Sequence, residues 1–271
     1  MRLCYEAMPT VQDVLDAVET IAPTRFAFDF DHIGLQIGWV SQQIERAVVS
    51  LDPSIDCVRF ASKCDAHLLL SHHSIIWDPL KILKMSPEVP LVASIYHLIE
   101  NQIAFIGSHT NWDCAEGGIN DTLCQIFGLT DVARFGSKPS EGIHCGRIGS
   151  LPEKMSLRDF QTLVDSVLNT RCMVWQGAHD GPIERVAIVG GAADGEAQAA
   201  LEIGADVFLT GEVRHDVSVS MSGSPISLVA GGHFATENPG MREMTNRLRA
   251  AMPEIDWLFF EPEPGNGGRP F

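Results

Sequence analysis

Positive charge is scarce in this chain. Its 271 residues carry 19 Lys and Arg against 35 Asp and Glu, a formal charge of −16. A surface of that sign repels phosphate backbones, which argues against nucleic acid as the main partner. Long apolar runs are also missing. None approaches the roughly 20 residues needed to span a bilayer, so no membrane association is expected. The opening MRLCYEAMPTVQ has no apolar h-region and predicts no signal peptide. The seven cysteines are scattered, odd in number and contain no CxxC. That predicts free thiols in a reducing cytoplasm rather than a disulfide framework. GxGxxG is absent too: DHIGLQIG, residues 31–38, reads as a tight loop near the site and not as a nucleotide fingerprint.

What is present is a regular alternation of apolar runs. Residues 10–22 carry Val11, Val14, Leu15, Val18 and Ile21 on one helical face, with Thr10 placed to cap and Pro23 after the end. Short apolar strands follow at 46–52, 67–70 and 103–107, with helical patterns at 54–64 and 90–100. The second half repeats the order, with strands at 185–191, 206–212 and 226–233, a helix at 196–204 closed by Gly204, a helix at 241–252 and a strand at 257–260. Near-continuous apolar strands separated by helices predict an α/β fold. The halves align: Val48 stands 140 positions before Ile188 and Leu69 the same distance before Leu209, while His109 and His233 are 124 apart. The reading is an internal duplication giving two similar α/β lobes, 1–130 and 131–271, that share one cleft. Residues 131–184 read as irregular apart from a capped helix at 156–169, and the Pro/Gly-rich tail as irregular throughout.

Chemistry gathers at the strand ends. HLLLSHH ends an apolar run in His72 and His73, and two further runs end in His109 with Asp113 and in His233 with Glu237. Residues four apart face the same way on a helical turn. Imidazole and carboxylate together suit zinc, iron(II) or manganese, and this number of donors has room for two ions. Open coordination positions would favour catalysis over a structural role. Glu212 and His215, in GEVRHD, read either as groups that orient the ligands or as an acid–base pair, and equally as a polar loop. Cys114 reads as a packed residue rather than a ligand. His32, His67, His97, His144 and His179 read as surface or packed histidines.

Five motifs in fixed order, DHIGLQIG, SHHSIIWDPLK, SHTNWDCAEGGIND, GADVFLTGEVRHD and GGHFATE, resemble the Ngg-interacting-factor-three-like family, also called the GTP cyclohydrolase 1 type 2 homologues. The resemblance spans about residues 10–250. It implies two α/β lobes and a toroidal homo-hexamer. It also implies two divalent ions held by His72, His73, Asp113, His233 and Glu237, with His109 close by. Ser74, Trp112 and His32 depart from the family's common Pro, Leu and Asn. Purine ring opening is the activity the second name implies, on a small-molecule substrate the residues leave open. A metal-dependent hydrolase is the leading expectation, with His109 or His215 as the proton-transfer group. Metal storage or delivery, and a metal-stabilised interaction scaffold, remain the alternatives.

Overall fold

The computed structural model describes residues 8–84, 90–138, 141–266 and 269. The chain forms two compact units, one of Met1–Trp112 with Met244–Phe271, the other of Asp113–Glu243. This differs from a single division at residue 130. The chain passes to the second unit within α4 (Thr110–Cys114) and returns within α9 (His233–Ala251). Among the described residues, no helix is long and apolar enough to cross a membrane.

The first unit opens with α1 (Val11–Ile21). Thr10 Oγ1 accepts the Asp13 amide, and the Asp13 carboxylate accepts the Thr10 amide at 2.7 Å, a reciprocal capping box. Its sheet contains β1 (Gly34–Ile37), β2 (Arg46–Ser50), β3 (Leu68–Ser71), β4 (Ala104–Gly107) and β11 (Asp256–Phe259), in the order β1-β4-β3-β2-β11. Only β1 runs antiparallel to its neighbour. Successive strand residues face opposite sides, so Val48, Leu69 and Phe105, which are register partners, share one face. They meet Cys57, Val58 and Ala61 of α2 (Ile55–Lys63) and Ile95 and Leu98 of α3 (Pro90–Glu100) in one buried cluster.

The second unit holds α5 (Ile119–Ile126) and a six-stranded sheet. The strands are β5 (Thr130–Phe135), β6 (Gly146–Met155), β7 (Met173–Trp175), β8 (Ile183–Val189), β9 (Val207–Thr210) and β10 (Ser227–Ala230), in the order β5-β6-β8-β9-β10-β7. Strands β8, β9 and β10 are parallel. Helices α6 (Leu157–Leu168), α7 (Ala197–Glu202) and α8 (His215–Ser220) complete it. The region expected to be irregular thus supplies three strands. Strand β6 escapes the pattern because its pairing with β8 breaks register between Ser150 and Met155, and β5 because its side chains are mostly exposed. The final helix starts at His233, not 241. Pro239 and Gly240, which ordinarily interrupt helices, mask its first turns in the sequence.

The parallel cores of the two units share one register. Val48 pairs with Leu69 and Leu70 with Ile106; Ile188 pairs with Leu209 and Thr210 with Ala230. These are the positions the 140- and 124-residue offsets equate. Each core also carries one antiparallel strand beside its third member, β1 on β4 and β7 on β10.

Candidate metal centre

In the first unit, the candidate donors follow the carboxyl ends of parallel strands, where open α/β sheets place their ligands. His72 and His73 come directly after β3, and His109 two residues after β4. One ring nitrogen from each of the three lies within 4.8 Å of the others. The backbone makes this arrangement, since the amides of His72 and His73 continue the ladder onto Ser50 and Leu51 carbonyls. Adjacent residues on a strand point apart, so the turn after Ser71 is what lets both imidazoles serve one site.

Each of these rings is held by its Nδ1. His72 Nδ1 lies 3.0 Å from the Ser108 carbonyl, His73 Nδ1 2.6 Å from Asp52 Oδ1, and His109 Nδ1 2.7 Å from Asp31 Oδ1. These partners are acceptors, so Nδ1 carries the hydrogen and Nε2 carries the lone pair. A metal-ligating histidine is oriented in the same way, by an acceptor on the ring nitrogen that does not meet the ion. Asp31 also accepts from the Thr110 amide at 3.0 Å and from the Thr110 hydroxyl. Burial pushes the Asp31 carboxyl up, but the hydrogen bonds from His109 and Thr110 oppose it, and the net shift is downward.

The second unit holds Asp113, His233 and Glu237. Asp113 and Glu237 are buried, and their carboxylates lie within 4.8 Å of each other. His233 Nε2 is 3.0 Å from Glu237 Oε2, one helical turn away, and its Nδ1 is 2.7 Å from Glu212 Oε1. Glu212 therefore orients a proposed ligand, one of the two roles read from GEVRHD. His215 opens α8 as an exposed residue, and among the described residues no candidate metal group contains it. His32, His67, His97, His144 and His179 are absent from those groups as well. Cys114 is buried. All the described thiols, Cys114 included, are free; burial pushes those of Cys57 and Cys124 up to about 12, so both stay protonated near neutral pH.

Three supporting residues have no role in the motif reading, although Asp31 opens DHIGLQIG. Asp52 and Asp31 orient histidines 21 and 78 positions away. The first had a signal, a carboxylate two residues past the end of β2. Arg147 is fully buried, pairs with Asp121, and donates to the carbonyls of Cys114 and Ala115 at 3.3 and 3.2 Å. It fixes the backbone immediately after Asp113. Of the family departures, Ser74 Oγ donates to the His32 carbonyl at 2.7 Å, and Trp112 is fully buried with the Arg247 guanidinium 5.5 Å from its ring.

The donor set fits divalent metal: imidazoles with Nδ1 anchored, and paired carboxylates sequestered from solvent. Fold and side chains together define an α/β protein whose strand ends carry side-chain groups that could hold a metal ion. The chain belongs to the family described as Duf34/NIF3 (NGG1p interacting factor 3), whose model matches residues 9–264. It is 33% identical over 227 residues to a Streptococcus pneumoniae protein named GTP cyclohydrolase 1 type 2 homolog, covering 82% of this chain and 84% of that one. A Clostridium perfringens protein of the same name is 27% identical over 240 residues, 88% of this chain and 91% of the other. Among solved structures, a Bacillus cereus protein related to NIF3 superposes with a TM-score of 0.85 at 20% identity, covering 98% of this chain and all of that one. A Staphylococcus aureus hypothetical protein gives 0.84 at 21% identity, with 96% and 99% covered.

Proposed function

We propose that the chain is a dinuclear metal-binding hydrolase acting on a small molecule, with zinc, iron or manganese held by His72, His73, Asp113, His233 and Glu237. The observation that carries this reading is the anchoring of His72, His73, His109 and His233 through Nδ1, by a carbonyl in one case and a carboxylate in three. A surface histidine needs no such partner, whereas a ligand needs its tautomer and ring orientation fixed. Bound ions would polarise a substrate carbonyl and lower the pKa of a water towards neutrality. Ring opening of a purine, the reaction in the relatives' name, falls within that chemistry, as does other amide or phosphoester hydrolysis.

The protein's own part is proton handling. His109 Nε2 accepts a proton while Nδ1 remains on Asp31, and the ionised Asp31 balances the imidazolium that results. The depressed pKa of Asp31 keeps it a carboxylate through that step. His215 is the second choice for this role.

Elemental analysis of gently purified protein is expected to give close to two divalent ions per chain. Glu237→Gln is expected to lower occupancy while circular dichroism shows an intact fold, because the amide cannot supply the carboxylate's charge. His109→Ala is expected to reduce turnover by about 10²–10⁴-fold with metal retained. A wild type without metal overturns the reading. Metal loss in the His109 variant makes that residue a ligand, and absence of any turnover in a broad hydrolase screen leaves metal handling as the function.

A further inference from the structure

We infer that Phe30 and Trp77 form an aromatic rim that receives a planar nitrogen-heteroaromatic ring beside the histidine cluster of the first unit. The inference rests on the reading of that cluster as a hydrolytic metal site and names the class of substrate it takes. Both side chains are large and apolar, yet Phe30 is 60% and Trp77 38% exposed. Single exposed aromatics are ordinary on protein surfaces. These two stand 47 positions apart and converge on one imidazole. The Trp77 ring lies 5.1 Å from the His109 ring at 85°, and the Phe30 ring 6.4 Å from it at 66°. Edge-to-face contacts of this kind leave π-surface uncovered, which is where a flat ligand stacks.

Hydrogen bonds hold the rim in place. The Phe28 amide donates to Thr110 Oγ1 at 2.8 Å, and Asp31 holds both His109 and the Thr110 amide, so the segment carrying Phe30 is fixed to the residue it faces. Phe28 packs edge-on against Phe30 with centroids 5.8 Å apart. The segment carrying Trp77 is tied to the same loop. Gln36 Oε1 accepts the amides of Ile75 and Ile76, while Gln36 Nε2 donates to the carbonyls of Ile76 and His32. Ser74 Oγ adds a bond to the His32 carbonyl. A bracing network of this extent fits a pre-formed recognition surface better than a chance exposure.

The chemistry narrows the ligand. A saturated ring gains nothing specific from two π-faces. A cation suits an aromatic face, but the proposed ions beside it repel it. A neutral or anionic heteroaromatic ring meets both conditions.

Isothermal titration of the metal-loaded protein tests this with guanosine and lumazine as flat heterocycles and trans-1,2-cyclohexanediol as a saturated control. Both heterocycles are expected to bind and the diol not to. Trp77→Ala and Phe30→Ala are each expected to weaken heterocycle binding by about 10-fold, the scale of one lost stacking partner, and Trp77→Phe to restore most of it. Metal content should be unchanged in all three. Heterocycle binding that is absent from wild type, unaffected by both alanine variants, or matched by the diol overturns the inference. Elemental analysis on the same samples separates the two readings. Metal-free wild type sinks the metal centre, whereas full occupancy without ring binding sinks only the aromatic rim.

Discussion

A methyl group on Gly191 would sit 2.0 Å from Glu237 Oε1, and the residue has a φ of +68°. The glycine is therefore required twice, once for backbone conformation and once to leave room for a proposed ligand. Its carbonyl accepts the amides of Gly211 and Glu212, and its amide donates to Thr236 Oγ1 at 3.1 Å. The neighbouring strand ends are thus locked to it and cannot shift to accommodate a side chain. Glu237 can move, because the colliding atom is the far end of a side chain. Gly191→Ala is expected to cost about 1 kcal/mol of stability from the left-handed backbone. Metal affinity is expected to fall about 10-fold or more as the carboxylate swings away. Denaturant titration and equilibrium metal binding would separate the two effects; unchanged metal affinity would show that Glu237 is not a ligand.

Among the elements, α1 shows how directly local chemistry can be read. Its capping box and its apolar stripe of Val11, Val14 and Val18 lie within a dozen residues. Hydrogen bonds from Thr10 hold the Asp13 carboxyl below its ordinary pKa. A carboxylate depressed in the folded state stabilises above its unfolded pKa, and that contribution is lost as pH falls through the folded value. Thr10→Ala is expected to cost about 1 kcal/mol at pH 7. The cost should shrink below about pH 4, where Asp13 is protonated in the unfolded chain, and further as the folded value is passed. Melting curves of both proteins at pH 7 and pH 3 would check the direction. Strands β2–β4 and β8–β10, the central parallel strands of the two units, are equally legible, as buried runs ending at or beside small residues or histidine. Strands β5, β6 and β7 are not. Their pairing is antiparallel and partly exposed, that of β5 and β6 is broken in register, and β7 has only three residues, so no periodicity marks them. The donors are visible as histidine–carboxylate repeats, but the hydrogen bonds that Asp31 and Asp52 accept from His109 and His73 join distant segments and leave no periodic trace. His215 shares a motif with Glu212, but α8 begins between them, and among the described residues His215 is in no candidate metal group.

For the whole molecule, charge and assembly pull in opposite directions. Copies carrying −16 each repel one another, yet family membership leads us to propose a homo-hexamer. Apolar contacts must then hold it, and added salt screens the repulsion rather than the attraction. Light scattering is expected to report a hexamer that persists or strengthens as salt is raised. A monomer at every ionic strength would contradict the proposal. The pairing of β11 with β2 bears on how the chain reaches any such state. Asp256 lies opposite Arg46, 210 residues earlier, and the two side chains join at 2.7 Å. During synthesis the second unit, Asp113–Glu243, is a continuous segment that can fold as it emerges. The first unit has to wait with the edge of β2 open until β11 leaves the ribosome. The part of the chain made first is thus the last to close, and an apolar strand stays available for wrong pairing through most of translation.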